Sequence, residues 1–329
     1  MPNIDTIMSK KKIFVYLNGG LGNQLFQFSK ARHFGGNSRE VVIIGNAGGP
    51  RQNSSGELEL SYAIGSENFR ITSILRSERL FSRICNLLLR IGIEVENSRV
   101  SLIFLDLISM LAKVPLSMML GANAQVIVCR GHGTYQAKKR HNRGNLLLIG
   151  YFQSRTHTEA SREFILESLE MKHGSKSKAV RLYNNIEDKL PLGIHVRRGD
   201  YTSESKIGCL NDHYYLNAYR RAIKDFPYKE IWLFTEEASE IVDLKVQLND
   251  LPIRVFTRHD YDTPNTLLIM SSCKGMIMSN STYSWWAVSI SNSLVDKRIY
   301  CPSPWFRELR ESKELFSERE IRIESLWLN

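Results

Sequence analysis

The chain has 329 residues, 43% hydrophobic and 24% charged, with a formal net charge of +10 and a pI of about 9.3. That length suits two domains rather than one core, and the composition is that of a folded globular protein, which excludes disordered and fibrous classes. The positive balance draws anions in general, such as nucleotides or acidic headgroups, but no zinc finger, basic arm or RNA-binding aromatic motif supports nucleic acid as the partner.

The chain opens with a polar segment ending in Lys10, Lys11 and Lys12, too short of apolar residues to be a signal peptide. Residues 13–17 predict a strand, 18–22 a turn and 23–34 a helix. Residues 41–44 predict a second strand, followed by a Gly/Asn/Pro/Ser loop over 45–56. A helix-rich, irregular stretch runs from 58 to about 120. Within it, 101–120 is apolar but carries Asp106, Lys113 and Pro115. Those residues fit a buried helix pair broken near the proline, not a membrane span. Lys and Arg on both flanks leave peripheral contact with an anionic membrane surface open. Short strands follow at 126–129 and 146–149, then an amphipathic helix at 159–171. The polar stretch 173–178 reads as the connection between halves, and a helix at 179–187 leads into the second half.

The alternation is cleaner after that point. Strands are predicted at 192–196, 231–235, 253–256, 276–279 and 298–301. Helices are predicted between them at 212–224, 238–247, 264–273 and 282–294, and a charged terminal helix at 307–316. Strand–helix alternation of this kind predicts parallel sheets covered by helices. The expected division is residues 1–175 and 176–329, two open α/β domains facing across a cleft. Ligands in such folds bind beyond the carboxyl ends of the strands. The five cysteines are scattered, odd in number and never spaced as C-x-x-C, so neither a disulfide framework nor a zinc site is expected, and a reducing compartment is.

Four stretches carry candidate chemistry. The first is Ile194-His195-Val196-Arg197-Arg198-Gly199-Asp200-Tyr201. Two arginines at a strand end offer rigid donor forks for phosphate oxygens, and Asp200 sets a carboxylate nearby. The alternative is a surface salt bridge between Arg198 and Asp200. The second is Gly19-Gly20-Leu21-Gly22-Asn23-Gln24 at a strand–turn–helix junction. It lacks the third glycine of a dinucleotide fingerprint. It can still offer helix N–H groups to an anion, or be a tight turn capped by Asn23. The third is Ser279-Asn280-Ser281-Thr282-Tyr283-Ser284-Trp285-Trp286, where hydroxyls and helix N–H groups converge on a phosphate cradle or merely cap the helix. Trp285 and Trp286 are expected beneath it, in the core. The fourth, Asp260-Tyr261-Asp262, has the D-x-D form of metal-dependent sugar transferases but reads more simply as turn residues before Pro264.

In order along the chain, these stretches resemble the α-1,2-fucosyltransferase family (glycosyltransferase family 11). The likeness runs from Gly19 to about Phe306. It is carried by Gly-Gly-Leu-Gly-Asn-Gln-Leu-Phe-Gln-Phe at 19–28, Gly-Tyr-Phe-Gln-Ser at 150–154 and His-Val-Arg-Arg-Gly-Asp-Tyr at 195–201. Asn-Ser-Thr-Tyr-Ser-Trp-Trp at 280–286 and echoes at 269–274 and 302–306 complete it. The resemblance implies a GT-B-like fold of two Rossmann-like domains. It also implies an inverting transferase that moves fucose from GDP-fucose, without a metal or other cofactor, to a glycan or lipid-linked oligosaccharide acceptor, at O2 of a terminal galactose. In its terms Arg197 contacts the β-phosphate, with Arg198 and His195 also on the donor side. Ser281, Thr282 and Tyr283 line the diphosphate, and Gly22 and Asn23 close over the donor from the first domain. Asp200 is the candidate base, with Glu204 behind it. Thr266 departs from the family, which usually has an acidic residue there, so Asn265 or Asp262 is left to read the base. A donor other than GDP-fucose, or a binding protein without turnover, stays open. With no anchor, the expected location is the cytoplasm, with peripheral contact at the inner membrane face.

Overall fold

The computed structural model describes residues 11–35, 38–45, 51–53, 55–73, 79–94, 120, 124–133, 144–174, 186–291 and 297–328. The helix pair expected over 101–120, apart from Leu120, and most of the helix expected over 179–187, lie outside the described residues.

The first half builds one parallel sheet from β1 (Lys11–Tyr16), β2 (Arg39–Gly45), β3 (Arg70–Ser73), β4 (Gln125–Val128) and β5 (Leu146–Ile149), in the order β3-β2-β1-β5-β4. Its helices are α1 (Leu21–Gly35), α2 (Glu59–Ile64), α3 (Arg79–Glu94) and α4 (Arg155–Leu169). The second half begins with the single turn α5 (Ile186–Lys189). Its strands are β6 (Pro191–His195), β7 (Glu230–Phe234), β8 (Ile253–Phe256), β9 (Gly275–Ile277), β10 (Arg298–Ser303) and β11 (Ile321–Glu324), in the order β11-β10-β9-β6-β7-β8. Between them run α6 (Asp212–Asp225), α7 (Val242–Gln247), α8 (Thr263–Ser272) and α9 (Thr282–Ser289). All strand pairs within both sheets are parallel. The expected architecture of two Rossmann-like halves facing across a cleft is therefore present.

The central strands explain why. β5 and β6 are buried along their whole length, as strands covered by helices on both faces must be. In each sheet the chain first winds outward on one side of its first strand, then returns on the other side. The reversal falls between β1 and β5 in one half and between β6 and β9 in the other. Loops diverge at such points and leave a crevice beyond the carboxyl ends. The two crevices face each other.

The halves meet through an apolar seam. Phe26 of α1 packs with its ring 4.6 Å from Trp285 and 5.2 Å from Trp286 of α9. Both tryptophans are buried, as expected. Tyr62 adds a bond from its hydroxyl to Asp262 Oδ2 at 2.7 Å. All five cysteines are buried and none is in a disulfide.

Two expectations fail here. The stretch 307–316 is not a helix. It runs as bends and turns because its anchors are tertiary: Leu315 is buried, its carbonyl accepts from Trp285 Nε1 at 2.9 Å, and Glu314 accepts from Ser154 Oγ at 2.5 Å. This segment of the second half thus returns to the first. The edge strands β3 and β11 were also not foreseen. β11 reads Ile321-Arg322-Ile323-Glu324 and is only partly buried, so its apolar content is too thin to stand out.

Candidate active site

A cleft of about 1410 Å³ lies between the halves, lined from both. Gly19 to Asn23, Arg51, Glu59, Tyr151 and Gln153 come from the first half. His195, Arg197, Asp200, Glu236, Thr266 and residues 280–283 come from the second.

Arg197 sits at the tip of β6. Its side chain is only 13% exposed. Nη2 donates to Asp200 Oδ1 at 2.6 Å, Nη1 donates to Glu236, and the guanidinium carbon lies 5.2 Å from the Tyr201 ring centre. Burial disfavours its charge, but Tyr201, Glu236 and Asp200 outweigh that and hold its pKa above the ordinary value. Its Nε–H is buried with no partner among the described residues.

Arg198 goes elsewhere. Its guanidinium donates to the Leu210 carbonyl at 2.6 Å and to Asp212 at the start of α6, and it does not line the cleft. Consecutive side chains of extended chain point to opposite sides. His195 and Arg197 therefore face the cleft, while buried Val196 and Arg198 face α6. The expected pair of phosphate-gripping guanidiniums at 197 and 198 is not formed, and neither is the Arg198–Asp200 bridge.

His195 is buried, with Nδ1 2.8 Å from Ser279 Oγ. Burial, helped by the charge of Arg197, lowers its pKa to about 3, so the ring is neutral. Gly199 adopts φ +45°, and a Cβ there would lie 2.6 Å from Glu236 Oε2. Its freedom serves the carboxylate that holds Arg197.

Ser281 is the N-cap of α9, its hydroxyl accepting from Tyr283 N–H at 3.3 Å. The Tyr283 hydroxyl donates to the Thr263 carbonyl at 2.5 Å, and its ring lies 5.7 Å from that of His195. From the other side, Asn23 Oδ1 accepts from Gln153 Nε2 at 3.2 Å. Thr266 lines the cleft, with its hydroxyl 3.4 Å from the Tyr261 carbonyl.

The glycine turn differs from expectation in one respect. The N–H of Leu21, first residue of α1, donates to Glu59 Oε2 at 2.6 Å. That N-terminus already holds an internal carboxylate, which its dipole favours. Burial raises the Glu59 pKa, and Arg51 opposes the shift.

The D-x-D carboxylates serve the turn. Asp260 Oδ2 accepts from Thr257 N–H and Oγ1, both at 2.8 Å. Asp262 caps α8, accepting from Asn265 N–H at 2.9 Å. Among the described residues no group of three or more His, Cys, Asp or Glu side chains is placed to hold a metal ion.

Sequence reasoning missed Arg51, Glu59 and Glu236. Glu236 follows β7 by two residues, so the rule that ligands bind at strand carboxyl ends could have found it.

A largely buried cationic side chain at one topological switch point, faced by a second switch point across a large cleft, makes a two-domain α/β protein with a site suited to anionic ligands. The chain belongs to glycosyl transferase family 11, whose model matches residues 132–297. It is 26% identical over 330 residues to an alpha-1,2-colitosyltransferase of Escherichia coli, covering 94% of this chain and 97% of that protein. It is 27% identical over 175 residues to the O-antigen biosynthesis glycosyltransferase WbnK of the same organism, covering 50% of this chain and 57% of that protein. Among solved structures, fucosyltransferase NodZ from Bradyrhizobium aligns with a TM-score of 0.46 at 14% identity, covering 85% of this chain and 93% of that one.

Proposed function

We propose that the protein is an inverting glycosyltransferase that moves L-fucose from GDP-fucose to a hydroxyl of a glycan, O2 of a terminal galactose. The observation that carries this reading is Arg197, set in the cleft at the β6–β9 switch point beside residues 281–283.

The reaction is one displacement at the anomeric carbon. The bond from that carbon to the β-phosphate oxygen breaks as the bond to the acceptor oxygen forms, and GDP leaves. Negative charge grows on the β-phosphate oxygen. A preset guanidinium stabilises that charge more in the transition state than in the ground state, which lowers the barrier. The start of α9, capped by Ser281, adds favourable dipole at the diphosphate. Neutral His195 and Tyr283 flank the nucleoside side, and Asn23 closes from the first domain. With Arg197 neutralising the phosphate oxygens, the reading calls for no metal.

Asp200 takes the acceptor proton. In the structure its Oδ1 and Oδ2 accept from Arg197 and Arg51 at 2.6 and 3.2 Å. A diphosphate that engages these guanidiniums releases the carboxylate for that step, coupling donor binding to base availability. The net charge of +10 supports work beside an anionic membrane on a lipid-linked acceptor.

A second donor is favoured by one observation: the E. coli protein aligned over 94% of the chain is named a colitosyltransferase. Release of GDP from GDP-fucose in the presence of a β-galactoside, set against release from GDP-colitose, tests the reading. Turnover of GDP-fucose supports it, turnover of GDP-colitose alone moves it to the second donor, and no acceptor-dependent release from either refutes catalysis.

A further inference from the structure

Arg51 belongs to none of the motifs, yet it lines the cleft. Its backbone is fixed by the glycine turn. Its N–H donates to the Gly19 carbonyl at 2.9 Å, and its own carbonyl accepts from Gln24 Nε2 at 3.0 Å and from Glu59 N–H at 3.3 Å. From that base the side chain spans the two domains. Nη2 lies 3.2 Å from Asp200 Oδ2, and Nη1 lies 3.8 Å from Glu236 Oε1.

These are the two carboxylates that hold Arg197. Two guanidiniums, one from each domain, therefore share one pair of anionic groups. Stability does not account for the arrangement. Arg51 and Asp200 are about half exposed, at 46% and 51%, and ion pairs so open to water add little. Two like charges gathered at one point do, however, make a site for an anion of matching size and charge. The diphosphate of a nucleotide sugar carries one negative charge per phosphate, as many as the two carboxylates together, and its oxygens suit planar guanidinium forks.

We infer that Arg51 is the first-domain half of a two-arginine clamp on the donor diphosphate, with Arg197 the other half and with Asp200 and Glu236 standing where phosphate oxygens bind. This rests on the nucleotide-sugar reading above. It assigns Arg51 a ligand-binding role and makes donor binding a link across the cleft.

Calorimetric titration of GDP and of guanosine into the wild type, Arg51→Gln and Arg51→Lys tests the clamp. Losing a charged donor to phosphate weakens GDP binding by roughly ten- to hundredfold. Arg51→Gln is expected to show that loss with guanosine affinity unchanged, and Arg51→Lys to fall between, since it keeps the charge without the fork. Arg51→Gln that binds GDP as the wild type does overturns the clamp alone. Equal loss for GDP and guanosine also overturns it, because Arg51 then acts only through the shape of the cleft. Wild-type protein that binds no GDP overturns the clamp and the donor reading together.

Discussion

Gly22 and Thr282, which both line the cleft, bring the two domains into backbone contact. A Cβ on Gly22 would lie 2.6 Å from the Thr282 carbonyl carbon and 2.6 Å from Tyr283 N. The glycine at 22 is thus required by the opposing domain. It lets the start of α1 touch the start of α9, which sets the distance between Asn23 and residues 281–283.

Gly22→Ala should separate these helix starts. Forcing a methyl group into such a contact costs about 1–3 kcal/mol. Urea denaturation is expected to show that loss, and donor affinity is expected to fall with it. A variant of unchanged midpoint and unchanged affinity contradicts the contact.

Asp200→Asn tests the base. The variant keeps an oxygen for Arg197 but cannot take a proton. Turnover is expected to fall about 10²- to 10⁴-fold, with donor affinity retained. Undiminished turnover removes Asp200 as the base and leaves the role of Arg197 intact.

His195, His157 and His132 are buried and weaken the fold in acid. Burial lowers the pKa of His195 to about 3, of His157 to about 3 and of His132 to about 4. The unfolded chain binds these protons near the ordinary value of about 6.5. Between those limits the unfolded state holds more protons, so stability falls as pH drops below about 6.5. His157, whose Nε2 lies 2.6 Å from the Phe152 carbonyl, does not line the cleft. His157→Gln should flatten the pH dependence of stability by up to about 1.4 kcal/mol per pH unit. Equal slopes for variant and wild type between pH 5 and 6.5 contradict a neutral buried ring.

Much of this fold was legible because parallel strands covered on both faces are unbroken apolar runs. The runs at 146–149 and 192–196 stand out for that reason. β3 (Arg70-Ile71-Thr72-Ser73) and β11 (Ile321-Arg322-Ile323-Glu324) did not, since one or two apolar residues among polar and charged ones make no run. The tail at 307–316 was misread because its charge pattern suits a helix, while its conformation is set by Ser154 and Trp285, far away in the chain. At the site, position along the strand located His195 and Arg197. Alternation also gives the opposite sense of Arg198, but the motif read as a unit hid it. Arg51 and Asp200 meet across 149 positions of sequence, and nothing local marks such a pair.

The central claim concerns the guanidinium of Arg197 and the leaving diphosphate. The rate of sugar transfer at saturating donor, measured for the wild type and for Arg197→Ala, tests it most directly. The account predicts a fall of about a hundredfold or more for Arg197→Ala, in a protein that still folds and still binds guanosine. Near-wild-type turnover in that variant would contradict it.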